Sequence, residues 1–212
     1  MKYKSKGNLL NELNKLNYFT KEQVFQLGAN EKNYNLKKKT IDTYIGRFLK
    51  SGDIIALKRG FYIASDFYEK NKYKTAYLFY IANVLRKPSY ISSWTALQYY
   101  GLTTELIHVV TSVGTKKTEN YKTKIALFSY QSIKEELFSD YLLVEENGFS
   151  FFIATPAKAL FDLLYFKTRE FRGLSFDKIK HLIDELRINI NEMKKSEKEK
   201  LFLMIKKYIK YD

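Results

Sequence analysis

The 212-residue chain carries 37 Lys and Arg against 23 Asp and Glu, a formal net charge of +14, and is 45% apolar and 17% aromatic. That apolar content excludes a disordered chain and is enough for one or two folded domains. With no Cys and only two His, disulfides, thiolate metal sites and Cys nucleophiles are excluded, and neither a zinc centre nor a cofactor is expected. No signal-like apolar run opens the chain, and no apolar stretch approaches the ~18–20 residues that span a membrane. A basic cytoplasmic protein is the expectation.

The charge is uneven, with 13 Lys/Arg against 5 Asp/Glu in residues 1–64 and 24 against 18 in the remainder. In chain order, Leu9, Leu10, Leu13 and Leu16 repeat at helical spacing. Thr20 and Gln23 have the spacing of a capping box and start a second helix, with Val24, Phe25 and Leu27 on its apolar face and Gly28 closing it. A polar turn over 29–35 precedes a third helix, from about Leu36 to Ser51. Its core stripe is Ile41, Tyr44 or Ile45, Phe48 and Leu49. Its other face presents Lys38, Lys39, Thr40, Thr43, Arg47 and Lys50. Two β-like runs, Asp53–Leu57 and Phe61–Ala64, then flank Lys58-Arg59-Gly60, a tight hairpin with a basic tip.

Three short helices and a basic hairpin are the pattern of a winged helix-turn-helix. There the third helix enters the major groove and the wing reaches the neighbouring backbone. A lysine run by itself is an ordinary solvated helix face. The helix order and the basic wing tip turn the reading toward double-stranded DNA, with Lys and Arg neutralising phosphates. The candidate contacts are Lys37, Lys38, Lys39, Thr40, Thr43, Arg47, Lys58 and Arg59, of which Thr40, Thr43 and Arg47 can reach base edges or the sugar-phosphate backbone.

A Lys- and Tyr-rich spacer, Asp66 to Lys74, leads to a helix over Thr75–Arg86, ended by Pro88. Ser92 or Ser93 caps a short helix closed by Gly101. Strands follow at Leu106–Val113 and Lys124–Tyr130, then a hairpin of Tyr141–Glu146 and Phe149–Ala154 turning at Asn147-Gly148. Thr155-Pro156 opens an apolar helix, and amphipathic helices near Ser175–Ile190 and Met193–Tyr208 finish the chain. The expected fold is α+β: a winged helix over 1–64, then a larger mixed α+β domain over 75–212.

The stretches Ser93-Trp94-Thr95-Ala96-Leu97-Gln98-Tyr99-Tyr100-Gly101-Leu102-Thr103 and Thr155-Pro156-Ala157-Lys158-Ala159-Leu160-Phe161-Asp162-Leu163-Leu164 resemble the AbiEi family, as does Arg59-Gly60-Phe61-Tyr62-Ile63 in the wing. The resemblance covers about residues 8–170. These are antitoxins and autoregulators of bacterial type IV toxin–antitoxin (abortive infection) systems. The resemblance implies an N-terminal winged helix repressing its own operon at inverted repeats. It also implies a C-terminal antitoxin domain that counteracts a nucleotidyltransferase-like toxin without a stable complex. It places DNA contact on Lys38, Lys39, Thr40, Thr43, Arg47, Lys58 and Arg59.

The alternative is a winged-helix regulator whose C-terminal domain senses a ligand or partner, with no toxin. A nuclease fused to a winged helix needs an Asp and a Glu-x-Lys on adjoining strands, and Glu192-Met193-Lys194 lies in a polar helical stretch. Asp162, inside an apolar helix, is read as pairing with a nearby Lys or Arg or capping a neighbouring element. His108 is read as a partly buried β residue, and Trp94, Tyr99 and Tyr100 as core aromatics. With no phosphate loop and no Ser–His–Asp order, no enzyme is expected. The enzyme reading has no residues to stand on.

Overall fold

The computed structural model describes residues 2–30 and 35–209. It is a mixed α+β protein with two sheets. The N-terminal third runs α1 (Lys2–Leu13), β1 (Phe19–Thr20), α2 (Lys21–Ala29), α3 (Lys38–Ser51), β2 (Ile54–Lys58) and β3 (Phe61–Ala64). The three strands form an antiparallel sheet in the order β1-β3-β2. Thr20 caps α2 as a capping box, its hydroxyl accepting from the Gln23 N–H while the Gln23 side chain accepts from the Thr20 N–H at 2.7 Å. Within the polar turn read over 29–35, residues 31–34 lie outside the described ones. α3 starts at Lys38, two residues later than the periodicity suggests, and ends at Gly52 in the left-handed region, φ 80°.

Gly28 does not close α2. It is buried within the last turn of the helix, where a Cβ would stand 2.8 Å from Ile41 Cδ1. The missing side chain lets α2 and α3 approach, a packing reason rather than a conformational one.

The second region holds α4 (Ser65–Asn71), α5 (Thr75–Leu85), β4 (Ser89–Ile91), α6 (Ser93–Tyr99), β5 (Val109–Gly114), β6 (Glu119–Lys122) and β7 (Leu127–Ser132). After them come β8 (Tyr141–Glu146), β9 (Phe149–Ala154), α7 (Pro156–Lys167), α8 (Phe176–Glu185) and α9 (Lys195–Lys206). Its six-stranded sheet has the order β6-β7-β5-β4-β9-β8, with β4–β9 and β5–β7 parallel and the other pairs antiparallel. The β8–β9 turn is the expected one, with Asn147 (φ 52°) and Gly148 (φ 81°) both left-handed. Thr155 caps α7, and Pro156 takes its first position.

β4 and β9 meet at a single register, Ile91 beside Ile153. The Asn83 side chain from α5 extends that short ladder, its Oδ1 accepting from the Phe152 N–H at 2.6 Å and its Nδ2 donating to the Ser89 carbonyl at 3.3 Å. An amide satisfies both groups where two strands part.

Residues 66–74 are no spacer. Most of them form α4, and Phe67 packs against both hydrophobic cores. The hairpin joins the halves further. In β3, Tyr62 and Ala64 enter the N-terminal core and Ile63 the large one, as period-2 alternation dictates. Leu57 of β2 also enters the large core. His108 is exposed and precedes β5, because that strand begins at Val109 rather than Leu106. Glu192 ends a 3-10 turn and Met193 is buried, so that triplet sits on no strand.

Candidate nucleic-acid interface

α3 places its residues by amphipathic spacing. Ile41, Tyr44, Ile45 and Phe48 are buried, and Lys39, Thr43 and Arg47 lie on the opposite, exposed face. Lys37, Lys39, Thr40, Thr43 and Arg47 line one cleft of about 430 Å³, together with Tyr44 and Lys6. Among the described residues, four cations share the lining with no carboxylate. Lys6 comes from α1 and stands 5.0 Å over the Phe48 ring. Its role is not legible in the sequence, because only the packing of α1 on α3 brings it there.

The cleft opens at an electrostatically unusual helix start. Lys37 occupies the N-cap with no side-chain cap, and the first turn of α3 has no acidic residue. Lys37, Lys38 and Lys39 thus stand at the positive end of the helix dipole, where anions are the favoured neighbours. The one carboxylate on α3, Asp42, is held by Lys21 at 2.7 Å, an ion pair that keeps Lys21 above its ordinary range. The Thr43 hydroxyl donates to the Lys39 carbonyl at 2.8 Å, which leaves its oxygen lone pairs able to accept a hydrogen bond.

The remaining candidates do not join this cleft. Lys38 lies on the other flank, 5.5 Å over the Phe25 ring. Arg59 is exposed at the hairpin turn, where Gly60 takes φ 78°. Lys58 is half-buried. Its ammonium donates to the Leu85 carbonyl and stands 4.3 Å from the Phe61 ring, so it belongs to the seam between hairpin and second region.

In the second region, Asp162 pairs with Lys158 at 2.7 Å, both fully buried. The Ser92 and Tyr90 hydroxyls donate to its other oxygen at 2.7 and 3.0 Å. Burial pushes the Asp162 carboxyl up, against the pull of Lys158 and the two hydroxyls. The group lies inside the core, where among the described residues the Lys158 ammonium and Asp162 Oδ1 have no hydrogen-bond partner beyond the ion pair between them. Trp94 and Tyr100 are partly buried, and Tyr99, 37% exposed, packs against Phe79 and Phe151. Among the described residues no cluster of three or more His, Asp or Glu is placed to hold a metal, and no helix is long and apolar enough to cross a membrane. Compared with known proteins, the chain matches no family model and no curated sequence.

Proposed function

We propose that the chain is a double-stranded DNA-binding repressor whose N-terminal third acts as a winged helix-turn-helix, with α3 as recognition helix. The observation that carries the reading is the cleft in which Lys6, Lys37, Lys39 and Arg47 converge beside Thr40 and Thr43. The order of three helices and a three-stranded antiparallel sheet supports it. The resemblance of the Ser93–Thr103 and Thr155–Leu164 stretches to AbiEi antitoxins completes the proposal. The protein then works in the cytoplasm, represses its own operon at inverted repeats, and counteracts a nucleotidyltransferase-like toxin through its second region without a stable complex. No catalytic step is assigned to it.

The test is a binding titration on the native promoter and on unrelated duplexes across salt. Arg47→Ala is expected to weaken promoter binding by about 1–3 kcal/mol, the worth of a bidentate base contact. Lys39→Ala is expected to weaken all sequences alike and to lower the salt slope by about 1. If both variants bind as the wild type does, the assignment is wrong. Rescue of growth on co-expression with the toxin tests the antitoxin half.

A second reading, a regulator that senses a small molecule, is favoured by one feature. Asn83, Pro88, Ser89, Phe138, Tyr141 and Phe152 line a cavity of about 440 Å³, a size typical of ligand sites. Growth rescue separates the two readings, since a ligand sensor gives none.

A further inference from the structure

One short segment of the second region serves two neighbours. β2 lies against β6, the edge strand of the large sheet, and at the end of α5 the Leu85 carbonyl accepts from the Lys58 ammonium. Arg86, 7% exposed, donates to the Glu119 carboxylate of β6 and to the Lys117 carbonyl. The next residues, Lys87, Pro88 and Ser89, form one wall of the cavity of about 440 Å³.

Aromatic rings form the facing wall. The Phe138 and Tyr141 centroids are 5.2 Å apart, and Tyr141 meets Phe152 edge-on at 5.6 Å. Tyr90, fully buried, stacks on Tyr141 at 4.8 Å and fixes these rings from the core side. Phe152 keeps 41% of its surface exposed. Aromatic rings favour offset or edge-to-face partners, which a flat ligand ring supplies and an aliphatic chain does not.

Polar groups are few. The Asn83 amide uses one hydrogen on the Ser89 carbonyl and one lone pair on the Phe152 N–H, which leaves one of each. The Ser89 hydroxyl donates to the Arg86 carbonyl at 2.6 Å and can still accept. Lys87, exposed, brings a charge to the lining, which among the described residues includes no carboxylate. Asp140, next to Tyr141 in sequence, is held by Lys200 at 2.5 Å. A ring-lined cavity with one cation at its edge selects an anion on a flat apolar body.

Deepening the ligand-sensing reading, on which the inference rests, we infer that this cavity binds a small aromatic carboxylate. Its rings lie against Phe138, Tyr141 and Phe152, and its carboxylate meets the Lys87 ammonium.

The experiment is calorimetric titration of the full chain with naphthoate as the probe. Naphthamide serves as its uncharged counterpart, and octanoate as an acid without rings. Naphthoate is expected to bind saturably and about two- to fivefold more tightly than naphthamide, the worth of an exposed ion pair. Octanoate should bind more weakly than either. Lys87→Met should bring naphthoate down to the affinity of naphthamide, and Lys87→Arg should keep the preference. Phe152→Ala should weaken both ring compounds alike. Absence of saturable naphthoate binding overturns the inference, and so does octanoate or naphthamide binding as well as naphthoate. A preference for the acid that survives Lys87→Met overturns it too. Failure of the ligand-sensing reading looks different: naphthoate then binds as expected but leaves promoter affinity unchanged at saturation, whereas coupled sites shift each other's affinity by the same factor.

Discussion

At Lys158 and Asp162 two charges sit four residues apart on α7 with no exposure to solvent. Desolvating such a pair is costly, and their attraction repays it only while every partner stays in place. Asp162→Ala strands the Lys158 ammonium and the Tyr90 and Ser92 hydroxyls together. It is expected to cost about 3–5 kcal/mol, measured by urea denaturation. Lys158→Met with Asp162→Leu removes both charges and should recover part of that loss, the remainder being the two hydroxyls left without an acceptor. Equal destabilisation by the single and double variants would show that packing, not charge, sets the cost. The pairing of Asp162 is legible in the sequence because Lys158 lies one helical turn before it. Its hydroxyl partners, about 70 residues away in sequence, are not.

On the repressor reading, α3 sets folding and binding against each other. Cations at Lys37, Lys38 and Lys39 oppose the helix dipole, each by about 0.3–1 kcal/mol at low ionic strength. Lys39→Glu is therefore expected to raise stability by about that amount while sharply weakening DNA binding. Thermal melts and duplex titrations of the same preparation check both signs. A variant that loses stability as well as binding would mean that Lys39 makes a structural contact. Local chemistry made much of this legible. The Thr20 capping box, the Thr155-Pro156 helix start and the Asn147-Gly148 turn rest on residues next to one another. β1, β4 and β6, of two to four residues each, escape the sequence because only a distant partner strand makes them strands. The cationic face of α3 follows from helical spacing, whereas Lys6 enters the cleft through tertiary packing. Lys58 reads as an open wing contact until β2 is seen lying against β6.

Across the whole molecule, the hairpin is shared property. Its Ile54, Tyr62 and Ala64 complete the small N-terminal core, and its Leu57 and Ile63 enter the large one. Tyr18 stacks with Phe61 and meets Tyr80 of α5 edge-on, and the Tyr77 hydroxyl donates to the Asn17 carbonyl at 2.9 Å. A fragment of residues 1–64 would expose Leu57 and Ile63, each worth about 1.5–3 kcal/mol of burial, and lose Phe67 from its own core. Small domains have little stability to spare, so this fragment is expected to melt early and broadly and to bind the promoter more weakly than the full chain. The sequence places repression in the winged helix over 1–64; the shared core argues that α3 needs the second region to hold the hairpin beside it. Leu57→Ala in the full chain supplies the independent check. It should lower the stability of both halves together in one unfolding transition, and a melt that resolves into two steps, only one of them shifted, would refute the shared core.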